Sequence, residues 1–130
     1  MATLRKELRL NARASDVWAA FEDVGAVHER LARGFVVDTK LQPGGRLVTF
    51  ANGMVAFEAI ITVDSEAQRL AYAIRGSPNL THHNASFEVV ADGAGARVVW
   101  VADLLPDALA ETIGAMMDAG CVAMAKTLDG

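Results

Sequence analysis

The sequence holds one cysteine, Cys121, in 130 residues. That excludes a disulfide framework, because each bridge needs two partners. It holds three prolines, and aromatic residues make up only 6%. No apolar run approaches the ~20 residues that cross a bilayer. The opening residues, Met1 to Glu7, lack the hydrophobic stretch of a signal peptide. Basic residues run out early. After Arg97 the one basic residue is Lys126, set against Asp103, Asp107, Glu111, Asp118 and Asp129. With a net charge of −4, this argues against nucleic-acid binding, which calls for a basic patch. There is no His-x-x-x-His or Cys-x-x-Cys, and His28 and Cys121 stand alone. No metal site is therefore expected. Gly-x-Ser-x-Gly, Gly-Lys-Ser/Thr and Gly-x-Gly-x-x-Gly are also missing, which removes serine-nucleophile, phosphate-loop and dinucleotide readings. No cofactor is expected.

What is present is apolar. Hydrophobic residues make up 52%, mean hydropathy is +0.25, and 24 residues are alanine. Disordered chains are poor in apolar residues and rich in net charge, so a folded chain is expected. The length suits one domain over 1–130 that buries roughly two-thirds of its unfolded surface. A lone thiol suits a reducing compartment, and a cytoplasmic location is expected. Ala71, Ala73, Ala108, Ala110, Ala115, Ala119, Ala123 and Ala125 cluster where close packing or the lining of a free volume would be useful, and composition alone fits a solid core as well as a hollow one.

Hydrophobic periodicity orders the elements. Leu4 to Leu10 alternates as a strand with one wet face. Ser15 is placed to cap a short helix carrying Val17, Trp18 and Phe21. Gly25 breaks it, and a second short helix carries Val27 and Leu31. From Phe35 the period becomes two. Strands are expected over 35–41, 46–50, 55–63, 70–75, from His82 to the turn at Asp92, and over 97–105. Turns fall at Pro43-Gly44-Gly45, Asn52-Gly53, Asp64-Ser65-Glu66 and Asp92-Gly93-Ala94-Gly95, and a loop at Gly76-Ser77-Pro78-Asn79. Pro106 suits the first turn of a long helix to about Leu128. Its apolar stripe is Leu109, Ile113, Met116, Met117, Gly120, Met124 and Leu128. Short turns favour an antiparallel sheet, and the helix must bury its stripe on that sheet.

This order resembles the helix-grip fold of the START and birch-pollen-allergen superfamily (SRPBCC). Ala14-Ser15-Asp16-Val17-Trp18 is similar to the opening of that superfamily's first helix. Gly44-Gly45-Arg46 resembles its usual hairpin. Phe57-Glu58-Ala59-Ile60 through Asp64, then Arg69-Leu70-Ala71-Tyr72, resembles its central strands. Val98-Val99-Trp100, with Pro106 ahead of the long helix, resembles its close. The polyketide cyclase/dehydrase-like branch is most similar. The resemblance implies an α+β fold, with a seven-stranded curved antiparallel sheet wrapped around the C-terminal helix and two short helices after the first strand. It also implies a cavity between sheet and helix for an apolar or amphipathic molecule. The turn 51–54 and the loop 76–80 stand where loops gate the pocket of plant abscisic-acid receptors. The gate and latch sequences of those receptors are absent, so that function is not supported.

Side-chain alternation turns Tyr72 and Ile74 inward on one strand, and His83 and Phe87 inward on the next. His82 then faces outward. The resemblance puts Glu58 in the cavity, where a carboxylate needs a partner or a raised pKa. Arg33 is one possible partner, since the resemblance places it just before the second strand, where receptors of the superfamily hold a basic residue that meets a ligand carboxylate. Glu58 on a wet outer face is the plainer alternative. His83 titrates near neutrality and suits acid, base or hydrogen-bond donor work, or else is structural. Phe35, Ile60, Val99, Val101, Met116, Met117 and Gly120 complete the expected lining; Asp103, on the face of Val99 and Val101, is read as an exposed strand-end carboxylate rather than as part of the cavity mouth. Methionines suit an adaptable pocket, and a helical glycine at 120 trades about 1 kcal/mol for space.

Three functions remain open. The first is binding of a small hydrophobic or amphipathic molecule, by a monomer or homodimer, without membrane insertion. The second is a cyclase or dehydratase using Glu58 and His83 as acid and base. The third is a regulatory or chaperone-partner role.

Overall fold

A computed structural model describes residues 1–129. Seven strands form one antiparallel sheet: β1 (Ala2–Leu10), β2 (Val36–Gln42), β3 (Gly45–Phe50), β4 (Val55–Asp64), β5 (Arg69–Arg75), β6 (His82–Asp92) and β7 (Gly95–Leu105). Their order is β1-β7-β6-β5-β4-β3-β2. Helix α1 (Ala14–Glu22) and a π-helical turn (Val27–Leu31) link β1 to β2. A 3-10 turn (Asp107–Leu109) leads into α2 (Ala110–Asp129). This is the helix-grip architecture the sequence resembles. The turn at Gly44 takes a positive φ of 79°, which glycine adopts without strain.

Two local expectations fail. Ser15 does not cap α1; the helix begins at Ala14, after Arg13, with no side-chain cap. Phe35 precedes β2 rather than opening it. Its carbonyl still accepts from the Ala51 N–H at 3.0 Å, just beyond β3.

Period-two strands put one face of the sheet on α1 and α2. Leu10, Val17, Phe21, Leu70, Val98 and Met124 are almost fully enclosed in the core, and each such side chain contributes about 1.5–3 kcal/mol by leaving water. Helix α2 is long and apolar enough, on length and composition, to cross a membrane; here its stripe covers the sheet, with Gly114, Met117, Gly120, Ala123 and Met124 buried. Lys6 of β1 reaches up to Asp118 of α2 at 2.8 Å.

The two glycines of α2 differ in what they do. A Cβ on Gly114 would meet only the Leu4 methyls, at 3.8 Å. Gly114→Ala is expected to raise stability by about 1 kcal/mol, because helical glycine forfeits that much to chain entropy. A Cβ on Gly120 would stand 3.1 Å from the Trp100 ring. Gly120→Ala is expected to lower stability instead, and paired thermal melts read both signs.

Candidate functional site

Between the sheet and α2 lies a hollow of about 90 Å³. The pairing register lays a polar row across it. Arg46 of β3 stands opposite Glu58 of β4, and Glu58 stands opposite Ile74 of β5. Beyond Tyr72↔Ala85 the β5–β6 ladder stops. There the Ile74 backbone N–H donates to Nδ1 of His83 at 3.0 Å, so the imidazole replaces the missing backbone acceptor.

Arg46 Nε donates to Glu58 Oε1 at 2.8 Å, and Arg46 Nη1 donates to the Val24 carbonyl at 3.2 Å. Arg46 is 3% exposed and Glu58 8%. Such a pair leaves water at the cost of desolvating both ions, and only close geometry with further hydrogen bonds offsets that. One row further along, Trp100 Nε1 donates to Tyr72 Oη at 3.1 Å. Burial, and secondarily the Glu58 carboxylate, drives the Tyr72 phenol well above its ordinary range. The aromatic rings continue as a stack. Tyr72 and Phe87 lie 15° from parallel at 5.7 Å, and Phe87 and Trp100 29° from parallel at 4.5 Å.

Burial, then the charge of His82, pushes His83 down to about 4. Between that value and the ordinary 6.5 the unfolded chain binds a proton that the fold does not. Stability therefore rises with pH across this window and is complete above it. Protonation would also turn Nδ1 into a donor facing the Ile74 N–H. Acidification from pH 6.5 to 4.5 is expected to cost wild type about 1–2 kcal/mol more than His83→Asn. Urea titrations at the two pH values measure the difference.

Nine of the expected lining residues meet at this hollow: Phe35, Glu58, Tyr72, Ile74, His83, Phe87, Met116, Met117 and Gly120. Four expectations are corrected. Arg33 is exposed, and its Nε donates to the Glu29 carbonyl at 3.3 Å; the partner of Glu58 is Arg46. Val99 and Val101 lie on the opposite face of β7, with Asp103, because the β6–β7 register sets Trp100 opposite Phe87 and Ala102 opposite Ala85. Ile60 packs against the core one row beyond the hollow, opposite Tyr72.

The alanine reading is also corrected. Five of the eight aromatic residues line the hollow, whereas only Ala32 and Ala102 do so among the alanines. Ala71 and Ala73 are buried on the other face of β5, in alternation with Tyr72. Gly120 likewise makes room for the Trp100 ring. Sequence reasoning missed Arg46, Val48, Phe50, Trp100 and Ala102.

The edge-to-face pair Phe35–Phe50, centroids 5.3 Å apart, and Met116 separate the hollow from an outer groove of about 610 Å³. The groove is also lined by Ala51, Asn52, Thr112, Ala115 and Ala119. The hollow alone is smaller than the ~300–1,000 Å³ usual for ligand pockets. A molecule larger than a single ring must reach past these three side chains. Among the described residues no group of three His, Cys, Asp or Glu side chains is arranged to hold a metal ion.

The chain matches the profile of the family described as polyketide cyclase/dehydrase and lipid transport over residues 1–129. It is similar in structure to the protein XoxI from Bacillus cereus, at 14% identity and a TM-score of 0.87, covering 98% of this chain and 96% of that one. A Thermobifida fusca protein is 28% identical, with a TM-score of 0.73 and coverage of 98% and 95%. A START superfamily protein from Mycobacterium smegmatis is 12% identical, with a TM-score of 0.71 and coverage of 98% and 94%. No curated protein matches the chain in sequence.

Proposed function

The chain belongs to the polyketide cyclase/dehydrase and lipid transport family, and from that premise we propose that it binds a small, largely apolar molecule in the hollow under α2. One observation carries this reading: a buried ion pair, Arg46–Glu58, set in a wall that is mostly apolar. Apolar side chains of similar volume would stabilise a purely structural core as well or better. Retaining the pair on the wall of a hollow suits ligand recognition, where few polar groups orient a molecule held by apolar contact. The lone half-buried thiol of Cys121 fits a reducing, cytoplasmic setting as part of the same reading. Native mass spectrometry of protein purified without added ligand tests it. A released organic adduct, and stabilisation by flat aromatic compounds in thermal shift, are expected. Protein free of adduct that no such compound stabilises would refute the reading.

A second reading is an acid–base enzyme, favoured by the meeting of Glu58 and His83 at one hollow. Their hydrogen bonds weigh against it. Glu58 is tied to Arg46, and His83 Nδ1 accepts from the Ile74 amide, which leaves His83 a proton to donate at Nε2 and no free lone pair to act as a base. Turnover lost in Glu58→Gln with binding retained would favour the enzyme.

A further inference from the structure

We propose that the hollow selects an uncharged carbonyl group, of a ketone, quinone or ester on a flat apolar skeleton, and holds its oxygen between the Tyr72 hydroxyl and the Nε2–H of His83. The proposal rests on the hollow being a ligand site and names the chemistry it takes.

The hydrogen bonds already made fix which donors are left over. His83 Nδ1 accepts from the Ile74 N–H at 3.0 Å. A neutral imidazole that accepts at one nitrogen carries its proton on the other. Nε2–H is thus a donor, and it has no protein partner among the described residues. The Tyr72 oxygen accepts from Trp100 Nε1 at 3.1 Å. Its own proton is given to no described acceptor. The two rings lie 5.7 Å apart and both line the hollow, so the two side chains that carry these donors are neighbours there. Burial keeps phenol and imidazole uncharged through the neutral range.

Charge then excludes the alternatives. Arg46 is already neutralised by Glu58 at 2.8 Å. A carboxylate ligand would add a third buried charge with no free cation to meet it, and that costs several kcal/mol. It would also face the second oxygen of Glu58, which accepts no described hydrogen bond. An ammonium ligand would also add a third charge to an already neutral pair, and with both ring groups donating, only the second Glu58 oxygen is left to accept from it. Shape completes the selection. The near-parallel rings of Tyr72, Phe87 and Trp100 favour a flat partner. A hollow of about 90 Å³ admits its head, while the remainder passes Phe35, Phe50 and Met116 into the outer groove.

Calorimetric titration with three matched probes tests this: 2-acetylnaphthalene, 2-ethylnaphthalene and 2-naphthoate. The ketone is expected to bind about 10-fold tighter than the hydrocarbon, equally at pH 6 and pH 8, and the naphthoate weakest. Tyr72→Phe removes one donor. His83→Asn removes the other and keeps an oxygen to accept from Ile74. Each is expected to weaken the ketone about 3- to 10-fold more than it weakens the hydrocarbon. The wild-type series stands even if a variant fails to fold. If the hydrocarbon binds and the ketone gains nothing, or if the naphthoate binds tightest, the carbonyl proposal is wrong and the ligand site survives. If none of the three binds, the ligand site falls and the proposal falls with it.

Discussion

Replacing Arg46 with methionine is expected to lower the unfolding free energy by about 3–5 kcal/mol. The side chain is almost wholly enclosed and touches Glu58 Oε1 at 2.8 Å. Removing it strands a carboxylate that is itself 8% exposed, along with the Val24 carbonyl that accepted from Nη1. A domain of this size has roughly 5–15 kcal/mol in total, so one substitution removes a large share. The double variant Arg46→Met/Glu58→Leu removes the charge as well as its partner. It is expected to return to within about 1 kcal/mol of wild type, since apolar replacement of a buried pair is often neutral or better. Denaturant unfolding of the four proteins completes the cycle. A loss under 1 kcal/mol in Arg46→Met would mean that water reaches the pair and that the wall of the hollow is not dry.

Phe87→Ala is expected to cost about 3–5 kcal/mol and to lower the melting temperature by about 10–20 °C. Phe87 is the hinge of the aromatic cluster. Its ring lies 4.7 Å from Phe21, 5.7 Å from Tyr72 and 4.5 Å from Trp100. Losing it removes apolar contact on three sides and extends the hollow into the core beneath α1. Apolar cavities of this kind take up benzene. Saturating benzene is therefore expected to restore about 1 kcal/mol to the variant, and less to wild type. A variant that melts like wild type, or one that benzene leaves untouched, would show that the ring is not a wall between core and hollow.

The inner faces of β5 and β6 were legible because their alternation is uneven. Tyr72 and Ile74, and His83 and Phe87, each sit between smaller or more polar neighbours. On β7 the rule had nothing to grip. Val98-Val99-Trp100-Val101-Ala102 is apolar on both faces, so alternation gives a period and no phase, and the phase chosen was the wrong one. The missing information lay in the hairpin. Pairing outward from Asp92↔Gly95 brings Trp100 opposite Phe87, and an inward Phe87 then requires an inward Trp100. The partner of Glu58 was legible by the same count. The turn around Asn52 puts Arg46 as far before it as Glu58 lies after it, and the register pairs them. Arg33 came from resemblance alone and fails because the chain there is still turning into β2, with its side chain bonded to the Glu29 carbonyl. Phe35 and Phe50 could not be placed by period at all. They meet at the open end of the β2–β3 hairpin, where Val36 pairs with Phe50 and the Phe35 carbonyl accepts from the Ala51 N–H.

The most direct test of the account is a two-dimensional amide and indole NMR titration of wild-type protein with 2-acetylnaphthalene. The Trp100 indole N–H and the Ile74 amide border the hollow through Tyr72 and His83. The Trp18 indole lies outside it, on α1. The expected result is saturable movement of the Trp100 and Ile74 signals with Trp18 still. Movement of Trp18 alone, or no saturable movement at either hollow reporter, would contradict the claim that this hollow is where the protein binds its ligand.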